Sequence, residues 1–104
     1  MDRIALLTEV LTANPADSFA RYGLAMELAS SEPMAAWTHF SYLLERHPEY
    51  AATYYQAGAF LSKQGRLEEA RNVLTTGLEV TARQGKQHAR AELQAALDDL
   101  NDRI

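Results

Sequence analysis

Residues 51–84 read AATYYQAGAFLSKQGRLEEARNVLTTGLEVTARQ, and this stretch decides the fold. Gly65 divides it into two halves, each about the length of an ordinary helix. Tyr54, Ala57 and Leu61 in the first half, and Ala70, Leu74 and Leu78 in the second, recur at helical spacing, so each half carries one apolar stripe. Small residues at Gly58 and Ala70 let two helices cross closely, where a larger side chain would push the axes apart. Gly65 is suited to a left-handed cap that ends the first helix.

The pattern repeats upstream. Pro15, Tyr22, Ala25 and Leu28 return 33 positions later as Pro48, Tyr55, Gly58 and Leu61. Beyond the turn the offset is 34, because Ala36, Phe40, Leu44 and Glu45 return as Ala70, Leu74, Leu78 and Glu79. The first inter-helix turn is therefore one residue shorter, and such a slip belongs in a loop. Breaks at Asn14-Pro15, Ser31-Glu32-Pro33, His47-Pro48, Gln64-Gly65 and Gln84-Gly85 are read as leaving five short antiparallel helices of about 12 to 18 residues. No run of strict apolar/polar alternation is long enough to suggest a strand.

A helix–turn–helix unit of about 34 residues is the signature of tetratricopeptide repeats, and residues 51–84 resemble that family. Its motif asks for a large aromatic, then leucine, glycine and a large residue, and Tyr54, Ala57, Gly58 and Leu61 answer it. It then asks for a Gly-x-large turn and alternating small and large positions, matched by Gly65-Arg66-Leu67, Ala70, Leu74 and Gly77. Residues 18–50 match more loosely, through Leu24, Ala25, Leu28, Ala36, Phe40, Leu43 and Pro48. Arg21 stands at the aromatic position there, and the Gly-x-large turn is missing.

Residues 2–14 resemble the second helix of a preceding unit, with Leu7, Val10, Leu11 and the following Pro15 matching Phe40, Leu43, Leu44 and Pro48. Arg3 takes the small-residue position, which is harmless if no first helix lies against it. Residues 86–103 read as a capping helix, apolar at Ala89, Leu93, Ala96, Leu97 and Leu100 and polar outside, as the end of a solenoid requires. The resemblance spans nearly the whole chain. It implies an all-α fold, an α-solenoid with a right-handed superhelix of antiparallel helix pairs. One domain over 1–104 would hold a half unit at 2–14, repeats at 18–50 and 51–84, and a cap at 86–103.

Composition agrees with a folded domain. The 104 residues are 47% hydrophobic and 23% charged, unlike a disordered chain, and a domain of this length buries roughly 60–65% of its unfolded surface. The absence of cysteine removes disulfides, thiolate zinc sites and cysteine nucleophiles, which suits a cytoplasmic location. Neither an apolar signal region nor a stretch of about 18 apolar residues occurs, so no membrane role is expected. A net charge of −4 argues against nucleic acid as a partner, since counterion release needs clustered cations. A protein or peptide fits better.

The residues show no catalytic set. His39, His47 and His88 lack metal spacing, and read as surface or partly packed side chains. Adjacent carboxylates at Glu68-Glu69 and Asp98-Asp99 point apart on a helix and read as solvated faces. No phosphate loop, nucleophile elbow or Ser/His/Asp set appears, so neither an enzyme nor a cofactor is expected. Arg83, Lys86, His88 and Arg90 form a basic cluster, offset by Asp98, Asp99 and Asp102 on the following helix.

In this family first helices line a concave groove. The resemblance places Phe19, Tyr22, Met26 and Ser30 of the first unit on it, with Ala52, Tyr55, Gln56, Ala59, Ser62 and Lys63 of the second. Phe19, Tyr22 and Met26 share one stripe of a helix whose other stripe, Leu24 and Leu28, serves the core. A second apolar face needs a cover: the capping helix, a second copy of the chain, or a ligand. Tyrosine favours a ligand, since it offers rigid apolar area and a hydroxyl at low entropic cost.

Some family members clamp a ligand's terminal carboxylates with lysine, asparagine and arginine. Here Tyr22, Met26 and Gln56 replace clamp residues, and only Lys86 and Arg90 match, provided the cap keeps the register of a third unit. The groove would then take a peptide with an apolar anchor and an acidic end. The function implied is a non-catalytic interaction module or adaptor binding a partner's helix or peptide. One alternative is self-association, as a homodimer through the aromatic groove or through Ile4, Leu7 and Leu11; another is a small chaperone-like protein holding a client segment. Elemental analysis of protein purified without a histidine tag is expected to find no stoichiometric zinc, and about one zinc per chain would overturn that expectation.

Overall fold

A computed structural model describes residues 2–104, leaving Met1 outside the described residues. It contains six helices: α1 (Arg3–Ala13), α2 (Ser18–Leu28), α3 (Pro33–Arg46), α4 (Ala52–Lys63), α5 (Leu67–Gln84) and α6 (Gln87–Arg103). The expectation of five is corrected, because five breaks leave six segments and each of them is helical. No strand occurs among the described residues. The protein is an all-α helical repeat, and its chain divides into two compact units, Met1–Tyr50 and Ala51–Ile104.

Helix ends follow the local sequence. Asp2 and Asp17 cap α1 and α2 by accepting the N–H groups of Ala5 and Ala20, each at 2.9 Å. Gly65 and Gly85 adopt φ of 78° and 69°, the left-handed conformation that glycine enters without steric cost. At the first of these turns Arg66 N–H donates to Leu61 O at 2.9 Å and Gly65 N–H to Ser62 O at 3.1 Å, the paired bonds of a Schellman ending. Unit 1 has no glycine at the equivalent place. There Glu32 N–H closes on Leu28 O at 2.8 Å, and Pro33 opens α3 at a position where its missing N–H costs nothing.

Unit 2 is built on two close approaches. A Cβ added at Gly58 would lie 2.5 Å from Leu74 Cδ2, and one at Gly77 would lie 2.6 Å from Tyr54 Cβ and 3.1 Å from Leu93 Cδ1. Leu74 thus occupies the space a side chain on α4 would take, while Tyr54 and Leu93 close over the bare backbone of α5. Ala57, Leu61, Ala70, Leu93 and Leu100 are buried around these crossings. Thr81 is buried as well, its hydroxyl donating to Gly77 O at 2.8 Å within the helix.

Unit 1 centres on Leu24, Ala25, Leu28, Ala36, Phe40 and Leu43, all buried. Leu7 of α1 is buried against α2, where a Cβ on Gly23 would stand 3.0 Å from Leu7 Cδ1. Val10 behaves differently from its repeat counterpart: Leu43 is fully buried, whereas Val10 is 39% exposed. Arg3 turns instead to Glu27 of α2, with 2.8 Å between Nε and Oε1.

Overpacking a filled core typically costs about 1–3 kcal/mol, and the added atoms would meet Leu74 at Cδ2 and Cγ and Tyr54 at Cβ. Gly58→Leu and Ala70→Leu are therefore expected to destabilise the protein by at least that much, and Gly77→Ala to do so measurably. Urea melts followed by helical circular dichroism check this; a melting profile unchanged in Gly58→Leu would remove the α4–α5 crossing from the account.

Candidate functional site

Helix α2 carries two apolar stripes. Leu24, Ala25 and Leu28 are buried, while on the other side Phe19 is 64% exposed and Met26 40%. Tyr22, between them in phase, is half-buried, its ring meeting Tyr50 edge-on at a centroid distance of 5.8 Å. Ser30 is exposed in the turn beyond. Helix α4 has the same division: Tyr54, Ala57 and Leu61 face the core, and Tyr55 is 41% exposed. Ala52, Ala59 and Lys63 are exposed, and Gln56 and Ser62 half-buried.

In unit 2 this second face borders a cavity of about 600 Å³. Tyr55, Ala59, Ser62 and Lys63 of α4 form one wall, Gly58 and Leu74 lie at its floor, and Glu92, Ala95, Ala96, Asp99, Leu100 and Arg103 of α6 form the other wall. The capping helix thus builds half of the site. Arg103 reaches across, its Nη2 donating to Ser62 Oγ, with Nε 3.9 Å from Asp99 Oδ2. Lys86, just before α6, and Arg90 on it do not line the cavity and are exposed. The polar wall is therefore Glu92, Asp99 and Arg103 rather than two cations. Its signal was present in the sequence, since Glu92, Ala96, Asp99 and Arg103 recur at helical spacing, but α6 reads first as a cap with a solvated outer face.

Of the three α1 residues proposed for self-association, only Ile4 is exposed; Leu7 is buried and Leu11 half-buried, while Leu6 and Val10 are the exposed neighbours. The histidines are scattered. His88 lies on the surface 3.8 Å from Glu92 Oε1, and His47 lies 3.8 Å from Glu49 Oε1. Among the described residues no group of three or more His, Cys, Asp or Glu could hold a metal ion, and no helix is long and apolar enough to cross a membrane.

Arg21 has found partners that replace the aromatic of the repeat. Its guanidinium stacks on Tyr42, with Cζ 3.7 Å from the ring centroid. Nη2 donates to Pro15 O at 2.9 Å, and Nη1 lies 3.2 Å from His39 Nδ1. Since guanidinium has no acceptor, Nδ1 must accept, which assigns the proton of the neutral ring to Nε2. Burial pushes the His39 pKa below its ordinary value of 6.5, and the Arg21 charge lowers it further.

No family model matches the sequence, and no curated protein matches it. Solved structures do, and they define the class as a small helical-repeat domain protein. A tetratricopeptide repeat domain protein of Salinibacter ruber is 32% identical; its solution structure gives a TM-score of 0.80 over 86% of this chain and 91% of that chain. A crystal structure of a Salinibacter ruber tetratricopeptide repeat domain protein, also 32% identical, gives 0.77 over 82% and 97%. The solution structure of a Bordetella parapertussis protein, 26% identical, gives 0.83 over 99% and 90%. The chain belongs to the tetratricopeptide repeat family, whose fold serves as a general protein-interaction module.

A lowered histidine pKa has a definite linkage sign. Well above pH 6.5 His39 is neutral in both states and the Arg21 contact is intact; as pH falls through 6.5 the unfolded chain takes up a proton that the folded chain resists, so stability is lost. Acidification from about pH 7.5 to 5.5 is expected to lower the melting temperature, and His39→Gln to flatten that part of the profile. Parallel profiles for the two proteins would exclude His39 as the cause.

Proposed function

We propose that the two units serve one non-catalytic adaptor domain, residues 1–104, which binds a helix or extended segment of a partner protein. In this reading the repeats are 18–50 and 51–84, preceded by the half unit 2–14 and followed by the cap 86–103. The observation that carries it is the exposed apolar stripe on each first helix, Phe19 and Met26 in unit 1 and Tyr55 in unit 2, left over after the core is filled. The unit 2 cavity gives that stripe a receptive shape, an apolar floor with mixed charges at its walls. Such a site suits an apolar anchor flanked by polar groups, and holding a client segment would use the same surface. The family resemblance and the lack of a convergent polar set support binding rather than catalysis.

A cavity of this size is smaller than a standard interface, so affinity on the order of micromolar is expected. Peptides selected from a random library against the wild-type protein provide the probe. Tyr55→Ala should weaken them by about 2 kcal/mol or more, as for a buried anchor, and Lys63→Ala by well under 1 kcal/mol, fading with salt. Each variant must first keep wild-type helicity and melting temperature. Unchanged binding in Tyr55→Ala would move the site away from the cavity.

Self-association is a second reading, favoured by the exposure of Ile4, Leu6 and Val10 on α1. A concentration series in analytical ultracentrifugation distinguishes the two. A dimer that Leu6→Glu dissociates, with peptide binding retained, would establish association through α1 alongside the groove.

A further inference from the structure

The face of α2 opposite Phe19 and Met26 borders a second cavity, of about 330 Å³, within unit 1. Ile4, Thr8 and Leu11 of α1, Arg21 and Leu24 of α2, and His39 of α3 line it. Aliphatic and polar side chains share its walls about equally, and Arg21 is the only permanently charged side chain among its described lining residues. That guanidinium is held from three sides, by the Tyr42 ring, by Pro15 O and by His39 Nδ1. Two of its five N–H groups are used in these bonds. Among the described residues no carboxylate forms an ion pair with it.

A cation in partly apolar surroundings without a counter-ion attracts an anion more strongly than one in open water. Arg21 is also ordered before any ligand arrives, which reduces the entropic cost of binding. One cation balances one negative charge, and the planar fork matches the two oxygens of a carboxylate. Ile4, Leu11 and Leu24 offer aliphatic surface beside it. We infer that this cavity binds a carboxylate carried on a short aliphatic stem. The charge sits on Arg21 and the stem against Ile4, Leu11 and Leu24. The site lies across α2 from the proposed peptide surface and stands independently of it.

Isotope-labelled protein is titrated with isovalerate and with glycylglycylleucine, and in parallel with the leucinamide form of the same tripeptide, which lacks the carboxylate. Both acids are expected to shift the His39 ring and the Ile4 and Leu11 methyl resonances saturably, with the amide at least about tenfold weaker, since hydrogen bonds to charged groups exceed that factor. Arg21→Gln should abolish the shifts. If that variant fails to fold, Thr8→Trp, which fills the cavity from an exposed position on α1, should block binding while leaving the Arg21 contacts in place. A tripeptide that binds tighter than isovalerate identifies the source as the end of a polypeptide; equal or weaker binding identifies a free acid. Absence of saturable shifts at up to about 10 mM acid, or equal shifts from the amide, overturns the inference and leaves Arg21 a purely structural residue.

Discussion

At the crossing of α4 and α5 a single carbon added to Gly58 would lie 2.5 Å from Leu74 Cδ2, and unit 2 is arranged around that approach. The added carbon would also lie 2.8 Å from Leu74 Cγ, so turning one methyl aside would not clear it. The same condition holds one turn further along α5, where Gly77 admits Tyr54 of α4 and Leu93 of α6. Two absent side chains thus set the spacing of three helices. Close-packed interiors do not absorb extra atoms without shifting backbone or forcing rotamers, which makes these glycines demands of packing rather than of backbone conformation.

Close crossing also decides what is left over. Once Tyr54, Ala57, Gly58, Phe60 and Leu61 are committed to the core, the remaining large apolar residue of α4, Tyr55, can only face outward or toward α6. It does so at the mouth of the cavity, where α6 supplies the opposite wall. The cap therefore has two duties, sealing the core with Leu93 and Leu100 and presenting Glu92, Asp99 and Arg103 to the space beside α4.

The repeat, its glycines and the one-residue slip were legible because they are local patterns: a period, a cap and a spacing. Gly65 was read as a left-handed ending and has φ of 78°. What was hidden depends on context. Val10 matches Leu43 in the repeat pattern yet is exposed, because burial depends on which neighbours pack over a residue and not on its place in a period. Arg21 was visible only as a departure from the aromatic position; that it would lie on Tyr42 and bind Pro15 O and His39 depends on side chains from α3 and the preceding turn, which no periodicity brings together. The face α6 turns to α4 was similarly obscured, since its charges fit a solvated cap equally well.

The substitution at Arg21 also explains how unit 1 folds with a cation where unit 2 has a buried tyrosine. A guanidinium is flat, like the ring it replaces, and weakly hydrated for a cation, so stacking on Tyr42 preserves much of the planar packing. Its edges, however, need acceptors that a phenyl edge does not. Pro15 O is available because it belongs to the turn between α1 and α2 rather than to a helical ladder, and His39 must hold its Nδ1 unprotonated to serve as the other. The repeat has thus exchanged an apolar contact for a polar one whose integrity depends on the charge state of a single ring, while the opposite face of α2 keeps Phe19 and Met26 exposed. Arg21 and Leu24 on one side and Phe19 and Met26 on the other follow from the same helical phase, so a short helix meets three different demands, core, polar cluster and open surface.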